Sequence, residues 1–217
     1  MKPSSRSMQV VICAAGLLAV GLLAGCNVSV PVEYSPLAAT DSLVKPGAAP
    51  GSVFVVRFLD ERKDGEKIGN IRNAFGTSVK GVVTSTDLGT LMAEASTDAL
   101  NKAGLKAALH SERTTGASIP PGELTGYDLV IGGRLTHLDV DVLPKFSNVD
   151  AVGKVTIDVA VTRNGQIQWV GPIEGTARKE IPVVMYTDIT AVANLAIQDC
   201  MKNMVRHLKA SGSFTQP

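Results

Sequence analysis

His137, Asp139 and Asp141 stand at alternate positions and are the chain's best candidate for chemistry. On an extended strand that spacing puts all three on one face, where they could approach a metal ion or serve as acid and base. The residues between and after them, Leu138, Val140 and Val142, are apolar. The plainer reading is therefore a half-solvated strand with the apolar set toward the core and the titratable set toward water. His110 beside Ser111 has no visible acidic partner, and His207 falls on the polar side of a helical stretch. The chain contains no Gly-x-x-x-x-Gly-Lys phosphate loop, no His-Glu-x-x-His, no Gly-x-Ser-x-Gly elbow and no Cys/His pairs at metal-ligand spacing. No catalytic residue, metal ligand or cofactor is assigned, and the expectation is a protein that is not an enzyme.

A second group suits contact rather than bond-making. Between Asp60 and Gly76 the chain is rich in charge and glycine, and it offers Arg62, Arg72, Asn73 and Phe75. Guanidinium and amide donors beside an aromatic ring form a candidate binding loop for an envelope partner or a lipid ligand. An ordinary solvated loop is the competing reading.

The elements that must position these residues follow from periodicity. Ser52–Leu59 is a β-branched and aromatic run that reads as a strand. Thr86-Asp87 can cap a helix running to about Ala103, with Leu88, Leu91, Met92, Ala95, Ala99 and Ala103 on its apolar stripe and Gly104 at its stop. Leu105–His110 is a short strand, and 111–126 is a loop. Tyr127–Val142 changes apolar phase, and a bulge near Thr136 would reconcile the two halves. Val149–Val161 keeps one face throughout, as do Ile167, Trp169 and Ile173 in the next segment. Asn164-Gly165 suggests a two-residue turn, but that register sets Thr162 against Ile167 and opposes the apolar faces. A three-residue loop, Arg163-Asn164-Gly165, pairing Val161 with Ile167 and Val159 with Trp169, is expected instead. The last helix is the most regular element, with Ile189, Val192, Ala193, Ala196, Ile197, Cys200, Met201, Met204, Val205 and Leu208 at helical spacing. Thr187 or Asp188 is its expected N-cap. Cys200, on that stripe, is expected to be buried and inert.

The N-terminus carries the most specific signal. Lys2 and Arg6 precede an apolar run from Val10 to Leu23, the order of a secretory signal. Leu23-Ala24-Gly25-Cys26 then resembles the lipobox of bacterial lipoproteins. The resemblance implies cleavage between Gly25 and Cys26 and a Cys26 carrying a diacylglyceryl group and an N-acyl chain. Two or more acyl chains anchor durably, at ~0.8 kcal/mol per buried CH₂. Asn27 is not the aspartate that retains enteric lipoproteins at the inner membrane, so the periplasmic face of the outer membrane is expected. The inner membrane is the lesser alternative.

Cleavage removes 25 of 217 residues and leaves 192, enough for one core. It also removes two of 21 basic residues and none of the 20 acidic ones, so the mature charge is −1 with histidines neutral. A near-neutral chain has no footprint for nucleic acid. Residues 26–51, punctuated by Pro31, Pro36, Pro46 and Pro50, read as an acylated cysteine followed by a flexible tether. A single α+β periplasmic domain is expected over 52–210 and a disordered tail over 211–217. Its architecture is expected to be a mainly antiparallel sheet of about five strands with two helices on one face.

The lipobox, the strand ending in Asp60-x-Arg62, then Ile68-Gly69, Arg72-Asn73 and Gly76 ahead of a helix, resemble the YajG-type family of bacterial lipoproteins. The resemblance covers most of the mature domain and implies an outer-membrane lipoprotein without an assigned activity. Its layout is also similar to domains of TolB, CsgG and ABC-transport auxiliary lipoproteins, a likeness of fold alone. The function expected is binding or scaffolding in the cell envelope. The alternatives are an auxiliary subunit of a lipid or glycolipid transport system, with an apolar cleft between helices and sheet, and a regulator of a cell-wall synthase.

Overall fold

The computed structural model describes residues 27–44, 51–110, 127–145, 148–182 and 185–212. The signal segment 1–25, Cys26 and residues 213–217 of the expected tail lie outside the described residues.

Among the described residues, two helices pack on a nine-stranded mixed sheet. The strands are β1 (Val28–Ser29), β2 (Ser52–Val55), β3 (Leu59–Asp60), β4 (Lys67–Arg72), β5 (Ser78–Val83), β6 (Lys106–Leu109), β7 (Leu129–Pro144), β8 (Val149–Arg163) and β9 (Gln166–Ile181). The helices are α1 (Leu88–Lys102) and α2 (Tyr186–Ser211). The α+β class is as expected, but a mainly antiparallel sheet of about five strands is not. β7, β8 and β9 do form an antiparallel meander. On its other edge β7 meets β2, β3 and β4 one after another, all parallel to it. Those three short strands act as one interrupted strand lying along β7. β6 adds to β2 in parallel, and β5 and β1 extend the sheet beyond β4. Parallel pairing needs a crossover, and α1 supplies it between β2 and β6.

Local chemistry explains the boundaries. Asp87 caps α1 by accepting from the Thr90 backbone N–H, and Gly104 follows in the left-handed region. The N-cap of α2 lies two residues before the expected Thr187 and three before Asp188. Met185 is its N-cap, and Asp188 in the first turn accepts from the Met185 N–H. The ten stripe residues of α2 are all buried, each Ile, Leu, Val or Met contributing ~1.5–3 kcal/mol. They pack against β8 and β9. Gly175 allows the close approach, since a Cβ there would lie 2.2 Å from the Cys200 backbone nitrogen. Cys200 is buried as expected, and burial first, then the charges of Asp199 and Glu174, pushes its thiol up.

Two register details decide which faces meet. The shift in β7 between Leu135 and His137 leaves Thr136 as the bulge that lets both apolar phases face the helices. The β8–β9 turn corrects the three-residue expectation. Asn164 and Gly165 have φ of 51° and 76°, the type I′ pattern, and Thr162 pairs with Ile167. A shift between Val161 and Thr162 then brings Val161 opposite Trp169 and Val159 opposite Gly171. The bulge restores the phase that the turn alone would have lost, and leaves Ile167 exposed.

The largest departure lies in the segment expected as a tether. Over 27–44 the chain is packed onto the domain. Val28, Val30, Val32 and Leu37 are buried in the common core. β1 pairs with β5, and Val30 donates its N–H to the Val83 carbonyl. Pro31 has no N–H to continue the ladder, and the chain leaves the sheet there. It then crosses the helices as a strap. Thr190 donates to the Pro31 carbonyl, Gln198 to the Ser35 carbonyl, and Leu43 to the Ala103 carbonyl. The folded domain therefore includes residues 27–44 and is not confined to 52–210, and residues 45–50 lie outside the described part.

Candidate functional site

The stretch read as a long loop is a hairpin. β4 and β5 are antiparallel, joined by a turn over 73–77, and β4 lies parallel to the second half of β7. This pairing brings the candidate loop beside the candidate strand face. Gly69 makes the close approach possible: its φ is +151°, and a Cβ would meet the Val140 carbonyl at 2.1 Å.

Arg62 is not a free donor. Its side chain is 6% exposed and grips both oxygens of Asp60, Nε to Oδ1 at 2.8 Å and Nη2 to Oδ2 at 2.9 Å. Its Nη1 donates to the Lys67 carbonyl at 2.9 Å and so closes the turn ahead of β4. Arg72 pairs with Asp141 at 2.9 Å and also donates to the Gly76 carbonyl. Asn70 completes that group by donating to Asp141 and accepting from Ser78. Asn73 builds the turn itself: its Oδ1 accepts from the N–H groups of Phe75 and Thr77, both at 3.0 Å. Phe75 is 92% exposed at the hairpin tip. Of the four residues singled out, Arg62 and Arg72 have donors engaged within the hairpin and its neighbours, Asn73 is engaged through its accepting Oδ1, and Phe75 projects into solvent.

His137, Asp139 and Asp141 occur on β7 as the alternation implied, with Leu138, Val140 and Val142 buried on the opposite face. His137 is exposed, and the two aspartates are half-buried. A recess of about 330 Å³ opens here, with Arg62, Lys63, Lys67, His137 and Asp139 on its wall. Burial first, then the charge of Asp141, holds the Asp139 carboxyl above the ordinary carboxylate value, against the pull of His137, Arg72 and Lys67. The chemistry available is that of a shallow polar recess that sets the raised-pKa carboxyl of Asp139 and the carboxylate of Asp64 beside two ammonium groups and the Arg62 guanidinium. Among the described residues no cluster of His, Cys, Asp or Glu has the arrangement to hold a metal ion.

The strap, expected from the sequence as a tether, is held to α1 by polar contacts. Tyr34 donates its hydroxyl to Asp98 at 2.8 Å, Leu37 gives the same oxygen its N–H, and Lys102 pairs with Asp98 at 3.3 Å. Lys102 also donates to the Leu37 carbonyl. The readable signal was the alternation of Val28, Val30 and Val32.

No family model and no curated protein matches the chain. Among solved structures, a Xanthomonas campestris protein of family DUF330 is similar with a TM-score of 0.50 at 10% identity, covering 87% of this chain and 97% of that one. A hypothetical protein from Chlamydia trachomatis follows at TM-score 0.45 and 11% identity, covering 77% and 99%. Lipoprotein GNA1162 from Neisseria meningitidis has TM-score 0.35 at 15% identity, covering 73% and 99%. At 10% identity the Xanthomonas likeness is one of fold.

Proposed function

We propose that this chain is a YajG-type lipoprotein, anchored through acylated Cys26 to the periplasmic face of the outer membrane, with a non-enzymatic binding or scaffolding role in the envelope. One observation carries the reading. The residue after the lipobox cysteine, Asn27, already lies in the fold, and Val28 is buried in β1. Acyl chains on Cys26 would thus hold the domain at the bilayer with no spacer between. Among the described residues no helix is long and apolar enough to cross a membrane. The polar groups of the candidate site largely satisfy one another, and the side chain they present outward is an aromatic ring. That arrangement suits contact.

The alternative of a lipid-carrying cleft between helices and sheet draws no support from that interface, where the α2 stripe is fully buried against β8 and β9. A spacer-free anchor likewise gives no reach toward a cell-wall synthase.

The test is Cys26→Ser. The variant is expected to lose acylation in the mass spectrum of its N-terminal peptide and to remain as uncleaved precursor in the inner membrane. A variant still cleaved at Gly25 and fractionating with the outer membrane would sink the reading. Crosslinking in intact cells, followed by mass spectrometry, then identifies the bound partner.

A further inference from the structure

The register of the sheet places several features at one end of the molecule. β1 runs parallel to β5, and Val28 pairs with Val82. Asn27 lies over Gly81, where a Cβ would be 2.5 Å from its Oδ1. The residue before it in the chain is Cys26. Going back along β5 from Gly81 leads to Lys80, Val79 and the hairpin tip at Phe75. Strand residues advance ~3.3 Å each, so the tip lies on the order of 10–20 Å from Asn27. Lys80 pairs with Ile71, Ile71 with Val142, Val142 with Ala151 and Ala151 with Lys179, a single row across five strands. Lys179 in turn grips Asp188 in the first turn of α2 at 2.8 Å. The start of α2 therefore sits at the same end of the sheet.

That end carries exposed apolar side chains. Phe75 is 92% exposed, Val79 51%, Met185 62% and Tyr186 58%. Lys80 is exposed among them, and Glu180 is drawn to Lys145. We infer that this end of the sheet, led by Phe75 at the β4–β5 tip, docks against the lipid surface into which Cys26 is anchored. The inference rests on the lipoprotein reading above, since the anchor brings these side chains to the bilayer. Aromatic and aliphatic side chains flanked by a cation suit the headgroup–acyl boundary. Once the acyl chains are inserted, this end has no spacer with which to stand away from the surface. Exposed Ile167 and Val170, beside the β8–β9 turn, lie at the opposite end and remain in water.

The experiment uses the full chain, matured in cells and reconstituted into vesicles of phosphatidylethanolamine and phosphatidylglycerol. Phe75→Cys and, separately, Ile167→Cys carry a nitroxide label; Cys200 is buried, and Cys26 is acylated. Collision with oxygen and with a water-soluble nickel chelate is measured at each site. The expected result is a label at 75 relaxed more by oxygen and a label at 167 relaxed more by the chelate. Chelate-dominated relaxation at 75, with Cys26 acylated in the mass spectrum, overturns this inference and leaves the anchor standing. A label at 75 shielded from both reagents means a protein surface covers the tip, and also overturns it. Loss of the acyl mass overturns the anchor and the docking together.

Discussion

The Tyr34 hydroxyl donates to Asp98 at 2.8 Å and joins the segment just after the lipobox to the middle of α1. Burial first, then this bond and the charge of Asp98, push the hydroxyl's pKa up. Asp98 also receives the Leu37 N–H and pairs with Lys102, so one carboxylate gathers three parts of the strap–helix junction. The segment that follows Cys26 in the sequence is thereby part of the folded domain.

Removing the hydroxyl tests this junction. Tyr34→Phe keeps the ring and deletes one bond to a charged acceptor, which should cost about 1 kcal/mol at this half-buried position. Asp98→Ala removes three interactions and should cost more, with faster proteolysis between Ser35 and Val44. Thermal melting of both variants checks the order. Unchanged melting in Asp98→Ala would mean the strap is held by its valines alone.

The final helix offers a sharper test. Ile197 is fully buried on the α2 stripe. Ile197→Asp would bury an unpaired charge, at a cost of several kcal/mol. Loss of the cooperative thermal transition is expected. A melting temperature equal to the parent's would contradict the packing of α2 on β8 and β9.

Within the hairpin the four candidate residues should separate. Phe75→Ala touches a side chain in solvent and should change stability by less than ~0.5 kcal/mol. Arg62→Ala strips Asp60 and the Lys67 carbonyl of a buried partner and should cost roughly 1–3 kcal/mol. Denaturant unfolding distinguishes the two. Equal small effects would return Arg62 to the pool of free contact residues.

These contrasts show what the chain's pattern carries and what it hides. The α2 stripe, the Asp87 cap and the Thr136 bulge were legible because each is a local relation, within one helical turn or one change of strand phase. Sheet direction was not, because β2, β3 and β4 pair with a strand some seventy residues later. The Asn164-Gly165 turn was misjudged because a bulge two residues beyond it repaired the phase. The strap was missed because Pro31 and Pro36 interrupt its alternation, and because its hydrogen bonds go to helices far along the chain. At the candidate site, residue types were readable while their pairing was not: Arg72 and Asp141 meet only once β4 lies beside β7.

Asp139 gives a prediction in pH. Its carboxyl lies half-buried on β7, and burial, then Asp141, raise its pKa above the ordinary 3.8. A carboxyl raised in the fold favours the folded state while it is protonated. That contribution is fully present below 3.8 and is lost as pH rises through the higher folded value. Above that window the ionised group opposes folding, since its charge is partly removed from water beside a second carboxylate. Asp139→Asn supplies a neutral side chain of the same shape at every pH. The variant should melt higher than the parent near neutral pH, and the gap should close as pH falls below 3.8. Melting temperatures of both proteins across this range are the measurement. A gap that stays constant with pH would assign the effect to packing, and a parent that is the more stable at neutral pH would show that His137, Arg72 and Lys67 outweigh burial.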